Sequence, residues 1–125
     1  MRKILLIDDD EIVLQSLGRL LEGQGYGVER ARNGFEAIDK AQQGTFDLVI
    51  SDIRMPGMDG IELIQRLRDL TGEGKKEPVR EILITGYADE NTYLRALKLK
   101  VTDYIYKPFD MGEFLSLVAK RLAVE

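Results

Sequence analysis

Short apolar runs alternate with helical stripes along the whole of this chain. Ile4 to Ile7, the region around Val28, Asp47 to Ser51, Ile82 to Ile84 and Asp103 to Tyr106 have the length and apolar, β-branched character of buried strands. Between them, apolar residues recur at three- and four-residue spacing, which places them on one side of a helix. Val13, Leu17, Leu20 and Leu21 form the first stripe, Ala37, Ile38 and Ala41 the second, and Leu63, Ile64 and Leu67 the third. Tyr93, Ala96 and Leu97 form the fourth, and Phe114, Leu115, Val118 and Leu122 the fifth. The punctuation agrees with this division. Gly23 to Gly27 stops the first helix, Asn33-Gly34 opens the second and Gly44 ends it. Asp59, with Glu62 three residues on, is a capping box for the third helix, and Asp89 is placed to cap the fourth. Thr71 to Lys76 reads as a polar loop. Repeated strand-then-helix units with right-handed crossovers predict an α/β fold, a parallel sheet covered by helices on both faces.

Composition narrows what such a fold could do here. At 125 residues the chain has the size of one domain, 1–125. Its 44% hydrophobic and 32% charged content suits a water-exposed globular fold. No stretch approaches the ~18 apolar residues of a membrane helix, and the start lacks the long apolar region of a signal peptide, so a cytoplasmic location is expected. With 18 basic and 22 acidic side chains the net charge is −4, and no basic stripe follows a phosphate backbone; direct nucleic-acid binding is not expected. The chain has neither Cys nor His, which excludes disulfides, thiolate or imidazole metal sites and a Ser/His/Asp triad. Carboxylates, Lys, Thr, Tyr and backbone must carry any chemistry.

The carboxylates that matter follow strands. Asp8 and Asp9 come directly after the first apolar run, and Asp52 after the third. On parallel strands all three emerge at the carboxyl edge, where open α/β sheets bind ligands. Two carboxylates ~5 Å apart repel by roughly 3 kcal/mol at an effective dielectric of about 20, so the cluster calls for a cation. A His-free, oxygen-only set favours a hard divalent ion, Mg²⁺ or Mn²⁺. Taken alone, Asp8 or Asp9 reads equally well as the cap of the first helix.

Three further signals end other strands: Thr85-Gly86 after the fourth, Lys107-Pro108 after the fifth, and Met55-Pro56-Gly57 in the loop after Asp52. In this order, each after its own strand, Asp8-Asp9, Asp52, Thr85 and Lys107 form a pattern that resembles the receiver domain of two-component response regulators, over essentially all 125 residues. The resemblance implies a doubly wound, flavodoxin-like (CheY-like) sheet of five parallel strands in the order 2-1-3-4-5 with five helices.

It also implies roles. Asp52 would be the phosphoacceptor, forming an acyl phosphate. Asp9 and Asp52 would ligate Mg²⁺ directly and Asp8 through water, with the backbone carbonyl of Arg54 as a further ligand. Three carboxylates and Lys107 sum to −2, which Mg²⁺ brings to zero before the donor arrives. Lys107, the Thr85 hydroxyl and the Gly86 amide would meet the phosphoryl oxygens. Thr85 and Tyr104 would form the switch, and a cis Lys107-Pro108 bond would aim the lysine. The implied partners are a sensor histidine kinase or histidine phosphotransfer protein, an effector domain or target of unspecified kind, and a second copy in a phosphorylation-dependent dimer. Such a domain is a switch that catalyses its own phosphorylation and slow dephosphorylation, not a turnover enzyme.

Three positions depart from the pattern. Lys100 stands where Gly commonly follows the fourth helix, so that turn is expected to differ. Tyr87 is bulky and placed to shield the acyl phosphate. Thr71 to Arg80 is long, which leaves the start of the fourth strand open. Two other readings compete: a haloacid-dehalogenase-like phosphohydrolase, whose nucleophile and second Asp would be Asp8 and Asp10, and a pseudo-receiver that takes no phosphate.

Overall fold

The computed structural model describes residues 1–71, 79–86 and 90–123. Strand and helix alternate as β1 (Lys3–Ile7), α1 (Glu11–Gly23), β2 (Gly27–Ala31), α2 (Gly34–Gln43), β3 (Leu48–Asp52), α3 (Gly60–Thr71), β4 (Arg80–Thr85), α4 (Glu90–Leu99), β5 (Asp103–Tyr106) and α5 (Met111–Leu122). The strands form one parallel sheet in the order β2-β1-β3-β4-β5.

Alternation along each strand builds two cores. Leu5, Ile7, Val49 and Leu83 face Ala37, Leu63, Ile64, Leu67 and Ala96 of α2, α3 and α4. Ile4, Leu6, Leu48, Ile50, Ile82 and Ile84 face Leu14, Leu17, Leu21, Phe114, Val118 and Leu122 of α1 and α5. Burial on both faces is why these strands read as continuous apolar runs rather than as an alternating pattern.

The helix starts are specified by short polar side chains. Asn33 caps α2, accepting from the Glu36 amide at 2.9 Å, and Asp59 caps α3, accepting from the Glu62 amide at 2.8 Å. The cap of α1 is Asp10, whose Oδ1 accepts from the amides of Ile12 and Val13 at 2.9 and 3.3 Å. Neither Asp8 nor Asp9 serves as that cap, which leaves both for other work.

Several expectations are corrected. On α1 it is Leu14 that joins Leu17 and Leu21 inside, while Val13 and Leu20 are only partly buried. β3 runs one residue further than expected, so Asp52 is the last strand residue. On α4 only Ala96 of the expected stripe is buried; Tyr93 and Leu97 are 39% and 52% exposed, and Thr92 takes the inner position one turn before Ala96. Small side chains at positions 92 and 96 let α4 lie close while Tyr93, Leu94 and Leu97 stay exposed and Leu99 packs partly buried against the core. The proposed Asp89 cap and Tyr87 shield lie outside the described residues, as does most of the Thr71 to Lys76 loop.

The turn after α4 does not differ after all. Lys100 itself takes the left-handed conformation, φ 58°, and its amide donates to the Leu97 carbonyl at 3.1 Å. A Cβ makes that conformation cost ~1–2 kcal/mol, part of which glycine returns through its looser unfolded chain. Lys100→Gly is therefore expected to stabilise the fold by about 0.5–1 kcal/mol, read as a higher Tm or urea midpoint.

Candidate functional site: an acidic cleft at the carboxyl edge of the sheet

The topology assembles the site. β1 and β3 are neighbours, with Ile7 opposite Ser51, so the next residues, Asp8 and Asp52, share one end of the sheet. Carboxylate oxygens of Asp8, Asp9 and Asp52 lie within 4.8 Å of one another. Asp8 and Asp52 are buried and Asp9 is exposed, so the cluster opens outward through Asp9. The Asp8 carboxylate is held from behind by the Asp10 amide, which donates to its Oδ1 at 2.9 Å.

Lys107 enters from the end of β5. Its Nζ is 3.6 Å from Asp8 Oδ2 and 3.7 Å from Asp52 Oδ2, so one ammonium group bridges both buried carboxylates. Its amide donates to the Thr85 carbonyl at 2.7 Å, which ties the β4 and β5 ends together. The Lys107-Pro108 bond is cis.

The cation does not neutralise the cluster. Burial raises the Asp8 carboxyl above its ordinary range, against the Asp10 amide and Lys107, which lower it. Burial likewise pushes Asp52 up to about 6; Lys107 opposes this, and the charges of Asp8 and Asp9 add to it. Two buried acids that resist ionisation beside a single ammonium are short of positive charge.

The other expected residues occupy different stations. Gly86, Arg54 and Asp10 line the cleft with the three aspartates and Lys107. Thr85 is buried at the end of β4, one residue past Ile84, which pairs with Asp52. Tyr104 is not in the cleft: it stands on β5, edge-to-face with Tyr93 of α4 at 5.4 Å and with Tyr106 at 5.1 Å. Two residues not expected from the sequence touch the Asp52 main chain: the Ser51 hydroxyl donates to its carbonyl at 2.8 Å, and Gly60 packs against that same oxygen. Arg95 of α4 joins Asp59 at 3.0 Å. Nothing in local patterning marks these contacts: those of Gly60 and Arg95 depend on how the chain returns to the strand end, and that of Ser51 on the rotamer its buried hydroxyl takes.

The family profile of the response regulator receiver domain matches residues 4–119. The chain belongs to the response regulator receiver domain family. It is 36% identical over 120 residues to the transcriptional regulatory protein ZraR of Klebsiella oxytoca, which covers 96% of this chain and 26% of that protein. It is 36% identical over 111 residues to the transcriptional regulatory protein ResD of Bacillus subtilis, 89% of this chain and 44% of that one. The chain thus spans less than half the length of these two relatives. Among solved structures, a CheY-like response regulator receiver domain protein from Methanospirillum hungatei superposes with a TM-score of 0.89 at 31% identity, over 98% of this chain and 94% of that one. The response regulator TrrA of Thermotoga maritima, in complex with Mg²⁺ and BeF, gives a TM-score of 0.83 at 34% identity, over 98% and 100% of the two chains. The receiver has five parallel strands in the family's order, and among its described residues no helix is long and apolar enough to cross a membrane. The phosphohydrolase reading loses its footing here, since the Asp10 carboxylate that it needs is engaged as the α1 cap.

Proposed function

We propose that this receiver is a phosphorylation-controlled switch in a two-component relay, with Asp52 as the phosphoacceptor. The observation that carries the reading is the Lys107 ammonium bridging Asp8 and Asp52 within a three-carboxylate cluster that still lacks positive charge. The oxygen-only donor set fits a hard divalent ion: Asp8, Asp9 and Asp52, with the Arg54 carbonyl, would hold Mg²⁺ or Mn²⁺. That ion, when bound, supplies positive charge to the transferring phosphoryl oxygens.

The chain's own groups do the rest. A carboxylate oxygen of Asp52 attacks phosphorus in line, forming the O–P bond as the donor's N–P bond breaks and the imidazole departs with a proton. No His exists in this sequence, so the donor imidazole lies outside it, on a sensor histidine kinase or histidine phosphotransfer protein. Lys107 balances charge on the equatorial oxygens, and the Thr85 hydroxyl and Gly86 amide hydrogen-bond to them. An apolar groove lined by Ile12, Val13, Phe109 and Met111 shares Gly86 and Lys107 with the cleft, so a donor seated there reaches Asp52.

Output follows from Thr85 moving toward phosphate and from Tyr104, which already lies against Tyr93 of α4, turning inward after it. The face so altered bears exposed Tyr93, Leu94, Leu97 and Tyr106, apolar surface that a second copy or an effector can cover. Converting such a switch from 1:99 to 99:1 takes about 5.5 kcal/mol of differential stabilisation. The relatives named as transcriptional regulators support an effector segment as the recipient of this change.

Intact-mass measurement after incubation with acetyl phosphate tests the reading. One phosphoryl group is expected with Mg²⁺ and none with a chelator. A wild-type protein left unmodified in excess Mg²⁺ would overturn the proposal.

A further inference from the structure

We propose that Ser51 and Gly60 are positioning residues for the phosphoacceptor, acting together on the main-chain carbonyl of Asp52. The inference rests on the role of Asp52 proposed above. Ser51 is fully buried on β3, between apolar Ile50 and Asp52, and its Oγ donates to the Asp52 carbonyl oxygen at 2.8 Å. A buried hydroxyl is costly unless bonded, so this contact defines both the Ser51 rotamer and the oxygen it meets.

Gly60 approaches the same oxygen from the first turn of α3. A Cβ at position 60 would fall inside contact distance of the Asp52 carbonyl oxygen, 3.0 Å from Ile53 Cα and 3.2 Å from the Asp52 carbonyl carbon. All three are backbone atoms, so no side-chain rotation relieves the contact. Gly60 is not among the positive-φ glycines, Gly25 and Gly57; what position 60 demands is proximity, not an unusual conformation.

The surrounding bonds hold this seat. The Gly60 amide donates to the Ile53 carbonyl at 2.8 Å, and the Ile53 amide to the Ile84 carbonyl at 2.9 Å. Asp59 fastens the turn, with Oδ1 on the Glu62 amide and Oδ2 3.0 Å from Arg95. The start of α3 is thereby docked on the peptide that follows the phosphoacceptor, and that peptide on β4. Rotation of the Asp52 main chain would carry its carboxylate away from Lys107 and Asp8, and about 1 Å of misplacement can cost 10²-fold in rate.

The test uses the chain described here. Phosphorylation rates from acetyl phosphate at saturating Mg²⁺ are measured by intact mass beside Tm and the Mg²⁺ affinity from ¹⁵N NMR titration. Ser51→Ala is expected to slow phosphorylation about 10-fold and Ser51→Thr, which keeps the hydroxyl, to recover most of the rate; Gly60→Ala is expected to slow it about 100-fold. Val118→Ala, a core truncation on α5, is the stability control and is expected to lower Tm without changing the rate. The amides of Asp52, Ile53 and Gly60 should shift in the Ser51 and Gly60 variants and not in Val118→Ala. If Gly60→Ala fails to fold, the Ser51 pair decides. A wild type that reacts, with Ser51→Ala reacting equally fast, overturns this proposal alone; so does Val118→Ala slowing as much as Ser51→Ala. A wild type that takes up no phosphoryl group overturns the role of Asp52 and this proposal with it.

Discussion

Asp52→Asn is expected to abolish phosphoryl uptake from acetyl phosphate and, without metal at neutral pH, to melt higher than the wild type. The loss follows because the amide oxygen is no nucleophile comparable to a carboxylate, and neither Asp8 nor Asp9 ends a strand beside β4 as Asp52 does. The gain follows from linkage. Asp52 titrates at about 6 in the folded protein against 3.8 for an ordinary aspartate, because it is buried among like charges. Between those values the folded state binds more protons than the unfolded one. Stability from this group is therefore fully present below pH 3.8 and is lost as pH rises through about 6. At 1.36 kcal/mol per unit, a rise of about two units corresponds to ~3 kcal/mol. Asparagine resembles the protonated form but leaves Lys107 one partner fewer, so the expected net gain is about 1–2 kcal/mol, a Tm higher by roughly 5 °C. Thermal melts between pH 4 and 7 check the sign: metal-free wild type should lose Tm toward pH 7, and Asp52→Asn should lose much less. Saturating Mg²⁺ should close the gap. A variant that melts at or below the wild type at pH 7, or that keeps the same pH slope, would contradict this account of the cleft.

Lys107→Ala should separate binding from chemistry. The wild-type ammonium stands within 4 Å of both Asp8 and Asp52. Its removal takes the charge of the three carboxylates and position 107 from −2 to −3, so a divalent cation should bind several-fold more tightly. The phosphorylation rate at saturating Mg²⁺ should nonetheless fall by 10²–10³, the usual cost of losing one preorganised positive donor at a charged transition state. Opposite signs in the two measurements are what a charge-balancing lysine requires. A lysine that only packed would leave the metal affinity unchanged, and one that ligated through its neighbours would weaken it. Calorimetric Mg²⁺ titration and intact-mass kinetics on the same preparation distinguish these outcomes.

Much of this architecture is local in origin. The strands were legible because burial on both faces forces uninterrupted apolar runs at Ile4 to Ile7 and Ile82 to Ile84. The caps at Asn33 and Asp59 were legible because a short polar side chain before a helix has few other uses. Asp8, Asp9, Asp52 and Lys107 could be gathered into one cleft on paper, since parallel strands deliver their last residues to one edge.

What escaped was set by neighbours distant in sequence. Asp8, Asp9 and Asp10 are equivalent as text; only the fold shows Asp10 turned to the α1 amides and Asp8 turned to Lys107. The α4 stripe was misread because the sheet accepts Thr92 and Ala96 while Tyr93 and Leu97 stay outside, a choice made by the space left beside β4 and not by hydrophobicity. Lys100 holds a left-handed turn because α4 must stop there for β5 to pair, and the chain accepts the strain.

By itself the sequence determined the order of strands and helices and the oxygen-only, histidine-free chemistry of these 125 residues, because these depend on residue type and local periodicity. The tertiary structure alone decided which aspartate caps and which two share the lysine, and it seated Ser51 and Gly60 on the carbonyl of Asp52. Those are matters of a few ångströms, whether between near neighbours such as Ser51 and Asp52 or between strand ends as far apart in the chain as Asp8 and Lys107, and they are fixed by packing two cores against one sheet rather than by residue type or periodicity.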